Sequence, residues 1–224
     1  ILALNCGSSS LKYQLFDVDT REVLVAGNAE KIGLDDSFIS QKLPTKEKTV
    51  VKMANHGDAL NSIMGILRNA SIDTNEIKGV GHRVLLGGSK FTSSVEITDD
   101  VVRTIRDYGD IAPLHNIPAV YGIEMARQIL PNAKQVAVFD TAFHRTMPDY
   151  AETYAIPASW TREFDIKRYG FHGTSHLYVS KRAAAMLGKP ASECNLITLH
   201  IGSGASAAAI RNGALAGGRE AMNS

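Results

Sequence analysis

Cysteine is scarce. Cys6 and Cys194 stand alone and far apart, too few for a disulfide framework, and this usage fits a reducing, cytoplasmic setting. No apolar run approaches the ~20 residues that a membrane-spanning helix needs. Asn5 and Lys12 break the first apolar stretch, so no secretory leader is read there, while Ile1 implies that at least a methionine precedes it. Neither sign of charge dominates: 24 Lys and Arg face 23 Asp and Glu, a formal net charge of +1. That balance gives no footing for nucleic acid or an anionic membrane surface as a partner. What remains, 224 residues of which 44% are hydrophobic and 21% charged, is an ordinary globular composition. It can bury one large core or two small ones.

The first fifty residues alternate as strands do. ILALN, LKYQLFDVD, VLVAGNAEKIG, ISQKLP and TVVKMA are separated by turn residues. Helical spacing then begins near His56 and runs through Ala59, Ile63 and Leu67. GVGHRVLL reads as another strand, leading to Gly87-Gly88. Thr98-Asp99-Asp100 caps a helix carrying Val101, Val102, Ile105 and Tyr108. The next helix is expected to open at Asn116 and Pro118. QVAVFD is a short apolar strand of the buried type, and Thr174 to Leu187 is a helix closed by Gly188 and Pro190. Strands first and helices later predict a mixed α/β domain.

The opening stretch, ILALNCGSSSLK, ends a strand in a glycine-serine turn flanked by an amide and an ammonium. Its pattern returns in NLITLHIGSGASAAAIRNG. Leu4, Gly7 and Ser8 align with Leu199, Gly202 and Ser203, and Asn5 with His200, an echo that chance and duplication could each produce. Residues 202–207, GSGASA, formally match a dinucleotide fingerprint, but that motif requires a helix directly after its glycines. Here the chain runs into Asn212-Gly213, a hairpin signal, so the loop turns between two strands and the dinucleotide reading fails. Two hairpins remain that offer N–H groups and hydroxyls to phosphates; taken alone, solvated turns are the commoner explanation.

Further clusters tip that balance. Arg83 lies late in an apolar strand, where a guanidinium needs an anion. Asp140 ends a buried strand, the usual position of catalytic groups in α/β folds. YGFHGTSH supplies His172 and His176 around a glycine. Such an i, i+4 pair can bind zinc, yet no third ligand is in register. APLHN adds His115, which as a lone histidine reads equally as a capping or core residue.

NCGSSSLK, GHRVLLGG, APLHN, VFDTAFHRTMP, RYGFHGTSH and HIGSGAS, in this order and spacing, resemble the acetate/propionate kinase family. The resemblance extends to about Leu215. It implies an actin-like ATPase (ribonuclease-H-like) α/β fold of the actin/hexokinase/Hsp70 superfamily, in which two duplicated domains flank a nucleotide. The corresponding division here is 1–150 for the first domain, 151–194 for a connecting region, and 195–224 for the start of the second. The implied reaction is reversible phosphoryl transfer from ATP to acetate, giving acetyl phosphate and ADP. Propionate or butyrate kinase is the nearest alternative, and a non-catalytic nucleotide-binding domain the more distant one. A homodimer and a Mg²⁺ (or Mn²⁺) requirement are also implied.

Carried over by residue, the resemblance makes Arg83, Asp140 and His172 catalytic, with Arg83 holding the carboxylate. Leu85, Leu114 and Phe171 would line the carboxylate pocket. Ser8, Ser9, Ser10, Lys12, His200, Gly202, Ser203 and Gly204 would meet the nucleotide phosphates. Asn5 would stand near the metal, and His115 and His172 would support the cleft. Four departures accompany this. Leu86 and Ser203 stand where the family usually has histidine and asparagine. Leu85 is larger than the valine of acetate kinases or the alanine of propionate kinases. The chain is also much shorter than family members, and its tail GGREAMNS is similar to a segment near the family's C-terminus, so it reads as cut short or as two pieces joined.

Overall fold

Alternation of buried and exposed residues builds the sheet that organises the N-terminal part. The computed structural model describes residues 1–202 and 204–221. Its strands are β1 (Leu2–Cys6), β2 (Ser10–Phe16), β3 (Val23–Glu30), β4 (Phe38–Leu43), β5 (Glu47–Val50), β6 (Gly79–Val84), β7 (Val95–Glu96), β8 (Lys134–Phe139), β9 (Leu196–Ile201), β10 (Ala205–Arg211) and β11 (Ala214–Ala221). The helices are α1 (His56–Asn69), α2 (Asp99–Asp107), α3 (Pro113–Ile129), α4 (Asp149–Glu152), α5 (Ala158–Phe164) and α6 (Gly173–Met186). No helix among the described residues is long and apolar enough to cross a membrane.

The chain divides into two compact units. The first joins Ile1–Val84 to Val95–Val138, and the second joins Leu85–Ser94 to the chain from Phe139 onward. In the first unit the eight-stranded sheet runs β5-β4-β3-β2-β1-β6-β8-β7. β1 is antiparallel to β2 and parallel to β6. Leu2, Leu4 and Cys6 on β1, with Leu11, Tyr13 and Leu15 on β2, form one buried face. They share a core with Ala59, Leu60, Ile63 and Leu67 of α1 and with Ala126 of α3. Each fully buried leucine or isoleucine contributes about 1.5–3 kcal/mol to holding helix and sheet together. Gly122 of α3 is required by close approach, since a Cβ there would stand 2.3 Å from the Cys6 sulfur.

The helix starts follow side-chain chemistry. Asn55 caps α1 by accepting from the Asp58 N–H at 3.0 Å, and Thr98 caps α2 as expected, accepting from Val101 N–H. The third helix departs from expectation. It begins at Pro113, not at Asn116, and Pro118 lies inside it. Pro113 occupies the first helical position, where its missing N–H is costless. Asn116 is no cap: its buried side chain donates to the Ile105 carbonyl at 3.1 Å.

The second unit holds the three-stranded antiparallel sheet β11-β10-β9. Ala208 and Ile210 of β10, Leu215 of β11 and Met147 form its small core. Asn212 and Gly213 both take positive φ, 52° and 77°, the hairpin geometry that Asn-Gly favours. The echo in the sequence is matched in topology, because β1-β2-β3 and β9-β10-β11 are both antiparallel meanders entered through a glycine turn. Their surroundings differ. Leu2, Leu4 and Cys6 are at most 8% exposed, whereas their counterparts Ile197, Leu199 and Ile201 are 59–79% exposed.

Candidate active site

In the first unit, register assembles a polar row on the sheet face opposite the α1 and α3 core. Asn5 on β1 lies directly across from Lys12 on β2, and Lys12 across from Asn28 on β3. Leu4 pairs with His82, so Asn5 neighbours Arg83 on β6, and Arg83 Nη1 donates to Asn5 Oδ1 at 3.3 Å. Two cations therefore flank one amide on adjacent strands. The β1–β2 turn rises at the end of this row. Gly7 N–H donates to Ser10 O at 2.8 Å, and His56 Nε2 donates to Gly7 O at 2.7 Å, which pins the turn to α1. Ser8 and Ser9 are exposed at its tip, while Ser10 folds back, its Oγ 2.9 Å from where a Gly7 Cβ would stand. Such an arrangement of hydroxyls beside cations suits an anion. Leu114 and His115 sit on the first turn of α3 and are exposed.

In the second unit, Asp140 follows the last residue of β8 and is 1% exposed. Its carbonyl accepts the N–H of Gly173, the first residue of α6, at 3.1 Å. The approach is so close that a Cβ on Gly173 would stand 2.0 Å from that oxygen. Leu85 and Phe171 are half-buried, and Leu86 is fully buried. At Leu86, where the family pattern would put a histidine, this chain therefore has a core leucine.

His172 precedes α6 in the left-handed region, with φ of +54°. Its ring stacks on His200 with centroids 4.0 Å apart and planes 16° from parallel. Gly204 lies under it, a Cβ there being 3.7 Å from His172 Cε1, and Gly202 N–H donates to Gly204 O at 2.9 Å. The second glycine turn thus adjoins the two histidines. Ser203 lies outside the described residues. His200 Nδ1 is 2.9 Å from Ser175 Oγ.

Several participants escaped the sequence reading. His176, considered there as half of a zinc pair, is buried and uses both ring nitrogens: Nδ1 lies 2.8 Å from Thr198 Oγ1, and Nε2 2.8 Å from Ser206 Oγ. Ser206 Oγ also meets His172 Nδ1 at 2.9 Å. His144 Nε2 donates to Phe171 O at 2.7 Å, and its ring packs against Gly170. Burial pushes the His176 pKa down to about 4, reinforced by neighbouring His144, His172 and His200, and burial likewise lowers that of His144. The one available signal was strand alternation, which puts the polar Thr198 and Ser206 at inward positions. Among the described residues no group of three His, Cys, Asp or Glu side chains could hold a metal ion.

Comparison with known proteins accords with these motifs. The model of the acetokinase family matches residues 1–217. Acetate kinases of Caldanaerobacter subterraneus subsp. tengcongensis and Geobacter sulfurreducens are each 49% identical over 219 residues, covering 95% of this chain but 55% and 52% of theirs. Among solved structures, acetate kinase of Porphyromonas gingivalis superposes with TM-score 0.91 at 42% identity, covering 99% of this chain and 57% of that one. A propionate kinase of Francisella tularensis gives 0.92 at 39%, covering 98% and 56%. The actin-like α/β fold expected from the resemblance is thereby borne out, and the chain spans about half the length of these relatives. With the family model matching residues 1–217, nearly end to end, this chain belongs to the acetokinase family.

Proposed function

We propose that the protein to which this chain belongs is a short-chain carboxylate kinase, transferring the γ-phosphoryl group of ATP to acetate. The observation that carries the reading is the row Arg83–Asn5–Lys12 beside the serine turn. A carboxylate oxygen attacks the γ-phosphorus, the bond to the β,γ-bridging oxygen breaks, and ADP leaves; the reverse step regenerates ATP. The nucleophile is already ionised, so no strong base is needed. The chemistry asks for in-line placement and neutralisation of charge.

The chain's groups take matching roles. Arg83 holds the carboxylate and the transferring group. Ser8, Ser9, Ser10 and Lys12 receive phosphate oxygens, as do Gly202, Ser203 and Gly204 of the second turn. His172 donates to a phosphoryl oxygen, with His200 stacked on it and His115 as a further donor. Leu85, Leu114 and Phe171 meet the alkyl group. Mg²⁺ characteristically keeps water and phosphate ligands and takes only one or two protein oxygens. Asp140, or Asn5 on release from Arg83, fits that modest demand. When bound, such an ion neutralises phosphate charge. Residues from 195 onward are read as the start of the second actin-like domain, and the whole protein as a cytoplasmic homodimer.

Propionate is the second reading, favoured by the likeness to the Francisella tularensis propionate kinase. The test is hydroxamate detection of acetyl phosphate from ATP, acetate and Mg²⁺ by the full-length protein. Arg83→Ala should raise the KM for acetate and lower kcat, because developing charge is left uncompensated. Asp140→Asn should mainly lower kcat. No acyl phosphate from any short carboxylate would overturn the reading, and near wild-type kcat in Asp140→Asn would make Asp140 structural.

A further inference from the structure

The groups around His172 that the proposed chemistry does not use are themselves ordered. Thr198 Oγ1, His176 Nδ1, His176 Nε2, Ser206 Oγ and His172 Nδ1 form an unbroken series, with steps of 2.8, 2.8 and 2.9 Å between side chains. Thr198, His176 and Ser206 are all buried, at 3%, 1% and 6% exposure. None can trade these bonds for bulk water, and a buried hydroxyl proton left without an acceptor is costly.

That cost gives the series a direction. Among the described residues, the Thr198 hydroxyl has His176 Nδ1 as its hydrogen-bond partner and no other. Its proton must therefore go to Nδ1. A neutral imidazole with an acceptor at Nδ1 is a donor at Nε2, so His176 Nε2–H donates to Ser206 Oγ. The single Ser206 proton is then free to go only to His172 Nδ1. In the opposite direction His176 Nδ1–H would donate to Thr198, and the Thr198 proton would be stranded. The depressed pKa of His176 agrees with its being neutral.

We propose that Thr198, His176 and Ser206 are positioning residues that fix His172 in the tautomer bearing its proton on Nε2, so that this nitrogen presents a donor to the transferring phosphoryl group. The role of His172 toward phosphate rests on the function proposed above; the tautomer does not. His144 secures the same residue through the backbone, because its Nε2–H holds the Phe171 carbonyl one residue before the left-handed turn. Which ring nitrogen of a histidine carries the proton is set by the bond the other one makes, and here that bond comes from Ser206.

The experiment is ¹⁵N NMR of the full-length protein labelled in histidine, read alongside kinetics. In the wild type, His172 should show the Nε2–H pattern and His176 should be neutral with the same tautomer. Ser206→Ala should return His172 to a mixture and lower kcat about tenfold or more, with the KM for acetate little changed, a loss of the size seen when metal-bound histidines lose their second partner. His176→Gln, whose amide N–H can still reach Ser206, should keep the tautomer and most of kcat. His176→Phe should lose both. A wild-type spectrum with His172 protonated on Nδ1 overturns the proposal without any variant, as does an Nε2–H signal that survives Ser206→Ala. Should the protein phosphorylate no carboxylate yet show the tautomer and its loss, the positioning series stands and the proposed function falls.

Discussion

Gly173→Ala tests a very close backbone contact in the second unit. The new Cβ would stand 2.0 Å from the Asp140 carbonyl oxygen and 3.0 Å from Phe143 Cβ, whereas ordinary contact begins at 3.4 Å. The backbone must therefore open by about 1.4 Å, the difference between 3.4 and 2.0 Å, because the obstructing atom is main chain and has no rotamer to yield. Opening lengthens the Gly173 N–H bond to Asp140 O, now 3.1 Å, beyond usefulness. Overpacking costs about 1–3 kcal/mol and the bond about 1 kcal/mol, against roughly 0.5–1 kcal/mol gained by replacing glycine in a helix. A net loss of about 2 kcal/mol should lower Tm by about 4–8 °C for a chain of this size. The same displacement moves Asp140 away from the start of α6, and a 1 Å misplacement can cost about 100-fold in rate. Thermal unfolding of this chain gives the first number, and the hydroxamate assay on the full-length protein gives the second. Gly65→Ala in α1 is the control: nothing lies within 4 Å of its Cβ, so it should be neutral or slightly stabilising. A Gly173→Ala protein with unchanged Tm and kcat would refute the reasoning.

Other expectations follow from the same structure. The His82 pKa is pushed down to about 4 by burial, partly opposed by its bond to Gln135. The unfolded chain thus binds this proton first, so stability is retained above pH ~6.5 and falls by on the order of 3 kcal/mol between there and about pH 4. Denaturant titrations of wild type and His82→Gln should diverge across that window, and parallel curves would exclude His82 as the cause. The 224-residue segment expressed alone should bind an anionic hydrophobic dye through Ile197, Leu199 and Ile201. Leu199→Lys should reduce that binding, and an undiminished signal would place the dye elsewhere. In the full-length protein kcat/KM for acetate should exceed that for propionate by about tenfold, because one more methylene against Leu85 costs roughly 1–3 kcal/mol. Leu85→Ala should narrow the gap; equal values in the wild type would favour the propionate reading.

Local pattern carried much of the fold. Strand alternation, the Asn-Gly turn and the Thr98 cap are short-range signals, and each element they marked is present. Pro118 misled because a proline one turn inside a helix leaves only one bond unmade, and tertiary packing outweighs it. The short helices α4 and α5 carry no full period of apolar residues from which to be read. In the candidate site, Asn5, Lys12 and Arg83 were legible because they sit beside glycine turns or late in strands. His176 and Ser206 were not, since their partnership spans thirty residues of chain and each looks locally like a different device, a metal ligand and a turn serine. His144 was hidden in the same way within its motif.

The left-handed backbone at His172 bears on how this protein could change over generations. Histidine, asparagine, aspartate and glycine are the residues that accept a φ of +54° with little strain. Alanine there incurs about 1–2 kcal/mol of backbone cost in addition to any lost chemistry. Asparagine is one nucleotide away from either histidine codon and fits the turn. A lineage could thus surrender the imidazole by a single base change while keeping the fold, so descent into a silent, ligand-binding relative is a short mutational step at this position.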